Sequence, residues 1–148
     1  MDPLSITASV ITVAGLAYKS TKALYEAIET IKDAPEFFET LNKDVKGLNN
    51  VLKAILEVIE DKEKAASLPA AQVTCLKALE LPLQNCHEAS DAFKAKIEKF
   101  TAHSSESHTS KRDRIHLHFK KDEIESLRYN LGSYKERSVA IWKNIPHC

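Results

Sequence analysis

Three groups of residues in this sequence have types and spacings that could do chemistry. Cys86 is followed directly by His87, and a thiol beside an imidazole is the beginning of a nucleophilic dyad. Such a dyad needs a third group to orient the base, and none is visible in the sequence. His87 is therefore expected on a helix surface. Cys86 falls at an apolar-seam position, where a free cysteine behaves as a small hydrophobe. His116 and His118 form an HxH that would share one face of an extended strand, and His103 and His108 lie shortly before it. A structural zinc site needs four ligands in a fixed tetrahedron. The Ser-rich stretch around these histidines supplies no such frame, so no metal site is expected. The third group is basic: Lys111, Arg112 and Arg114, then Lys120 and Lys121. Cations near a membrane surface gain about 1 kcal/mol each from anionic headgroups. Alone the run reads as a solvated loop, and its lipid-binding reading depends on the first helix described below.

The remaining sites of common chemistry are missing from the sequence. It contains no GxxxxGK[ST] or GxGxxG phosphate loop, no GxSxG, no HExxH and no paired-cysteine zinc spacing. No enzymatic activity and no cofactor are expected. Lysine plus arginine equal aspartate plus glutamate at 21 each, so no overall field steers the chain to nucleic acid, and the basic run lacks interleaved aromatics. The balance conceals an asymmetry: residues 33–67 carry eight acids against five bases, and residues 101–148 nine bases against six acids. These two regions are expected either to attract each other, the simpler reading, or to face different partners.

The elements that must position these residues are helical. Three glycines and five prolines in 148 residues leave long stretches without a turn signal, and the length suffices for one domain with its own core. Asp2-Pro3 opens a first helix over about 3–31, with the carboxylate and the proline both suited to a helix start. Asp33-Ala34-Pro35 breaks it. A second helix spans about 35–64, with Phe38, Leu41, Val45, Leu48, Leu52, Ile55 and Ile59 spaced alternately three and four, an unbroken heptad seam. A third spans about 69–101 on the seam Leu76, Leu79, Leu83, Cys86, Ser90, Phe93, Ile97 and Phe100, with an interruption expected at Pro82. Residues 101–114 read as a mobile loop. A fourth helix covers about 121–142. The spacing predicts one all-α domain over residues 1–148, an antiparallel bundle of four main helices. Cys75, Cys86 and Cys148 are odd in number and lack CxxC spacing. That pattern suits free thiols in a reducing cytosol and not a disulfide framework.

The first helix differs from the others. Pro3 to Tyr18 holds no charge, and Ile6, Val10, Ile11, Val13, Ala14, Leu16 and Tyr18 cover nearly every direction around its axis. Such a helix must be enclosed by others or meet lipid. It is no secretory signal, because Asp2 stands where a basic residue belongs. Its uncharged part reaches only about 24 Å at ~1.5 Å per residue, short of the ~20 apolar residues of an ordinary span.

The opening Met1-Asp2-Pro3-Leu4-Ser5-Ile6-Thr7-Ala8-Ser9, then Val13-Ala14-Gly15-Leu16-Ala17 and Ile31-Lys32-Asp33-Ala34-Pro35, together with Arg114 to Ile124 before the last helix, resemble the HeLo-like N-terminal domain of fungal STAND (NLR-type) proteins. Where that family has a Trp-Pro-Phe-like element, this chain has Leu117-His118-Phe119. The resemblance implies a bundle at the head of a receptor that continues into STAND and repeat domains. It also implies self-association on activation and regulated cell death through membrane insertion of the first helix. On that reading the inserting residues are Leu4, Ile6, Val10, Ile11, Val13 and Leu16. Lys111, Arg112, Arg114, Lys120 and Lys121 meet anionic lipid, and a cytoplasmic protein relocates to the plasma membrane. The competing expectation is an adaptor or oligomerisation domain that touches no membrane.

Overall fold

A computed structural model describes residues 3–61, 67–102 and 110–148 of the chain, apart from the side chains of residues 3 and 4. The fold is an all-α bundle. Helix α1 is Pro3–Glu29, α2 Glu36–Glu60, α3 Ala70–Leu76, α4 Glu80–Thr101, α5 Lys111–His118 and α6 Lys121–Asn144. Single 3-10 turns occupy Lys77–Leu79 and Ile145–His147.

The four long helices form a square. α1 packs on α2 and α4, and α6 packs on the same two from the opposite corner. Side-chain contacts set the directions. Ser9 meets Glu80 and Ser20 meets His87, so α1 and α4 run the same way. Asp44 meets Arg128 near the start of α6, while Ile59 lies with Trp142 near its end, so α2 and α6 are also parallel. The chain thus runs up, down, up and down, with α1 and α6 on one diagonal.

The heptad seam of α2 is the centre of the core: Phe38, Leu41, Val45, Leu48, Leu52, Ile55 and Ile59 are all buried. Phe38 also closes one end of the bundle. Its ring centroid lies 6.0 Å from Phe93 on α4 and 5.4 Å from Phe119, which connects α5 to α6. Phe93 and Phe119 are themselves edge-on at 5.4 Å, the geometry aromatic quadrupoles favour. Lys96 pairs with Glu123 and lies 4.4 Å from the centre of the Phe119 ring, which holds α6 to α4 at that end.

Local boundaries depart from the sequence-based expectations for physical reasons. α1 ends at Glu29, and Asp33 at φ 54° turns the chain; aspartate tolerates this left-handed region better than most residues. The third helix is interrupted a turn before Pro82, at Lys77–Leu79. Proline removes the bond to the carbonyl four residues earlier and crowds it, so the disturbance appears at residue 78. The expected loop over 101–114 is overturned in part, because Lys111–Arg114 belong to α5. Ser110 caps that helix by accepting from the Asp113 amide at 3.1 Å. Residues 103–109, with His103 and His108, lie outside the described residues.

The expectation of free cysteines is also overturned. Cys75 on α3 and Cys148 after the last turn form a disulfide across 73 residues of sequence, with Cα atoms 6.6 Å apart. Cys86 alone is free, and it is buried.

Leu52→Ala in the centre of the α2 seam should destabilise the domain by about 2–5 kcal/mol. Leu117→Ala, at a residue 72% exposed, should change it by no more than about 0.5 kcal/mol. Urea unfolding followed by circular dichroism measures both, and equal losses would contradict this assignment of the core.

Candidate interaction surface on the first helix

The inward stripe of α1 is Ile6, Val10, Ala14, Ala17, Leu24 and Ile28, all buried. Ile11, Val13 and Tyr18 flank it, partly buried. Among the described residues α2 and α4 pack most extensively on it and α3 less so, which leaves one side of the helix uncovered by them. Along the uncovered side Ser5, Ala8, Thr12 and Leu16 are exposed, Leu16 to 41%. Charged residues join this side only from Lys19 onward. A solvent-facing stripe without charge over its first turns is an unusual way to write a surface helix.

Two details lower the polarity of that stripe further. The Thr12 hydroxyl donates to the Ala8 carbonyl at 3.0 Å, so it is used within the helix itself. At Gly15, beside Leu16, an added Cβ would meet no packing neighbour within 4 Å among the described residues. A glycine in a helix interior costs roughly 0.5–1 kcal/mol relative to alanine, and no intrachain contact offsets this.

Polar ties fix α1 to its two neighbours. Ser9 Oγ donates to Glu80 Oε1 at 2.7 Å, and Ser20 Oγ shares a hydrogen bond with His87 Nδ1 at 2.5 Å. On the other side Asn49 Nδ2 donates to the Tyr18 carbonyl at 3.0 Å and to Thr21 Oγ1 at 2.8 Å. The Thr21 hydroxyl in turn donates to the Ala17 and Tyr18 carbonyls. Buried polar groups that are satisfied in this way set one register between helices and are costly to break singly.

The expected membrane-inserting residues thus divide among different environments. Ile6 and Val10 are in the core, Ile11 and Val13 at its edge, and Leu16 outside; the side chain of Leu4 is outside the described residues. The basic residues are elsewhere. Lys111 Nζ donates to Thr30 Oγ1 at 3.3 Å, beyond the far end of α1, about 30 Å from Val10 at ~1.5 Å per residue. Arg112, Lys120 and Lys121 are exposed and Arg114 is partly buried. Lys121 faces Glu125 at 3.9 Å, an exposed pair of little energetic weight. The structure seats Lys111 beside Thr30, away from the uncharged half of α1.

The other candidates resolve into packing. His116 and His118 lie on a helix rather than an extended strand, two residues apart and therefore on different faces. His116 is edge-on to Phe37, and His118 stacks on Phe100 at 4.2 Å. Among the described residues no group of three His, Cys, Asp or Glu is placed to hold a metal ion. His87, expected on a helix surface, is partly buried and hydrogen-bonded to Ser20. Burial pushes the Cys86 thiol up to about 12, which keeps it protonated and unreactive near neutrality.

Residues 1–142 match the family model described as pigment biosynthesis cluster protein PigL N-terminal. The chain belongs to this family. It is thus a helical domain of that family. No curated protein and no solved structure matches the chain. Among the described residues no helix is long and apolar enough to cross a membrane.

The buried thiol gives a signed pH dependence for this PigL N-terminal domain. With the folded value at about 12 against 9.0 ordinarily, the unfolded chain releases this proton first. The contribution is whole below pH 9 and is lost as pH rises from 9 toward 12, at about 1.4 kcal/mol per pH unit. Comparing the parent with Cys86→Ala by urea unfolding at pH 8 and pH 10 isolates it. The parent should lose more stability than the variant over that interval.

Proposed function

We propose that this domain is a non-enzymatic signalling module that acts by self-association through the open side of α1, around Ala8, Thr12, Gly15 and Leu16. The observation that carries this reading is the uncharged exposed stripe with a glycine that the fold itself does not use. A second copy is the occupant we favour. Two such stripes carry no like charges to repel each other, and their small side chains allow helix backbones to approach closely. The chain's formal net charge of zero adds no long-range repulsion between copies.

The resemblance to HeLo-like domains supports a fuller form of the same reading. Assembly would be the first step toward regulated cell death, in which the inner residues Ile6 and Val10 reach a membrane. That step requires breaking the Asn49, Glu80 and His87 ties to α1. With no helix among the described residues suited to cross a bilayer, it requires several copies acting together or a locally thinned membrane. Further STAND and repeat domains would supply the trigger.

Gly15→Ala and Thr12→Lys test the reading. Gly15→Ala should raise fold stability by roughly 0.5–1 kcal/mol and yet weaken self-association measured by sedimentation velocity of concentrated protein. Thr12→Lys should keep the melting temperature and abolish association through like-charge repulsion. If both variants associate as the parent does, the open side of α1 is not the contact. Dye leakage from anionic liposomes separates the two forms: association without leakage supports the adaptor form, and leakage lost in Thr12→Lys supports the membrane form.

A further inference from the structure

The Cys75–Cys148 bond joins two elements that have little else to hold them. α3 is only seven residues long and buries Val73 and Leu76. The final turn, Ile145–His147, buries one side chain, Ile145. Between them lies an apolar cavity of about 260 Å³ lined by Val58, Ile59, Leu68, Leu76, Trp142 and Ile145 among others. Beyond the disulfide, Gln72 Nε2 donates to the Pro146 carbonyl at a long 3.4 Å on the exposed surface. The chain's end is therefore seated on α2 and α3 by a modest apolar contact and one covalent bond.

The two sulfurs differ in access. Cys148 is exposed and Cys75 partly buried. The third cysteine, Cys86, is buried with its thiol held protonated, so it cannot attack the bond or exchange with it. Redox chemistry at this end is confined to a single pair.

We propose that Cys75–Cys148 is a reversible clasp that fixes the C-terminal turn to α3 when oxidised and frees it when reduced by a low-molecular-weight thiol such as glutathione. A thiolate attacks the exposed Cys148 sulfur, the S–S bond breaks, and Cys75 leaves as a thiolate that takes a proton from water. A second thiol then attacks the mixed disulfide. Cys148 is released as a thiol and the two small thiols depart as their own disulfide. The protein has gained two electrons and two protons, and the reverse reaction with glutathione disulfide closes the clasp. Reduction leaves the four long helices in place, because their shared core does not pass through either cysteine. It loosens Ile145 from the cavity, uncovers Leu68 and Leu76, and opens the side of Trp142 at the end of α6 to water. This inference does not depend on how α1 is used.

The chain's single tryptophan, Trp142 at the end of α6, lines the cavity beside the clasped turn and reports the change directly. Purified protein is equilibrated in glutathione buffers from fully oxidised to fully reduced, then alkylated without denaturant and weighed. The oxidised form should take no label; the reduced form should take two, at Cys75 and Cys148, with Cys86 labelled only after unfolding. On reduction, acrylamide quenching of Trp142 should rise, helical content should remain near its starting value, and the melting temperature should fall by roughly 5–15 °C. Cys148→Ser and Cys75→Ser should each reproduce the reduced state, and the double variant should add nothing further. Failure to form the bond in oxidised glutathione overturns the proposal. So does reduction that leaves quenching and melting unchanged, and so does reduction that unfolds the whole domain, since the bond would then be a framework element rather than a clasp.

Discussion

Between Pro3 and Tyr18 the first helix offers water no charged group on any side, and the bundle is arranged around the need to cover it. Two helices, α2 and α4, are set against it, each contributing both apolar surface and a polar tie. Asn49 is the clearest case. It stands between the seam residues Leu48 and Leu52, where another leucine would extend the apolar surface. Instead its amide donates to the Tyr18 carbonyl and to Thr21. An apolar residue there would bury α1 without fixing its height or rotation. The amide supplies one register, and α4 repeats the device with Glu80 and His87.

Two neighbours cannot cover the whole circumference of a helix. In the square arrangement α6 occupies the corner diagonal to α1, so it buries the far sides of α2 and α4 and leaves the near side of α1 open. The exposed stripe of Ala8, Thr12 and Leu16 is thus a consequence of topology acting on an unusually uncharged sequence. Had α6 crossed over α1, the same residues would be core and Gly15 would have a neighbour. That an added Cβ at Gly15 would meet no packing neighbour within 4 Å among the described residues is what separates a surface kept free of charge from a helix buried on all sides.

The parts of this molecule that were legible in the sequence are those written as repetition. The α2 seam, with its alternation of three and four from Phe38 to Ile59, maps residue for residue onto buried positions. The all-α class follows from the same period and from the scarcity of glycine and proline. Single events were harder to read. α5 has only Ile115 buried along its length, too little apolar content to show as a periodic face; its one local sign was Ser110 three residues ahead of Asp113, a capping pattern. The disulfide could not be read from spacing, because only the return of α6 beside α3 brings residues 75 and 148 together. The open side of α1 was equally hidden: when every direction is apolar or small, periodicity does not say which one the fold will leave bare.

The two ends of the bundle are built from different physics, and this bears on how the domain can change state. At one end Phe38, Phe93, Phe100 and Phe119 interlock, and Lys96 joins Glu123 over the same rings. Any motion there must separate several large buried side chains at once. At the other end a short helix, a single turn and one disulfide close a cavity. α3 packs on α1 as well as on the final turn, and the Ser9–Glu80 bond sets the start of α4 beside the uncharged half of α1. The residues free of charge and the elements least held by packing therefore meet at the same end of the bundle.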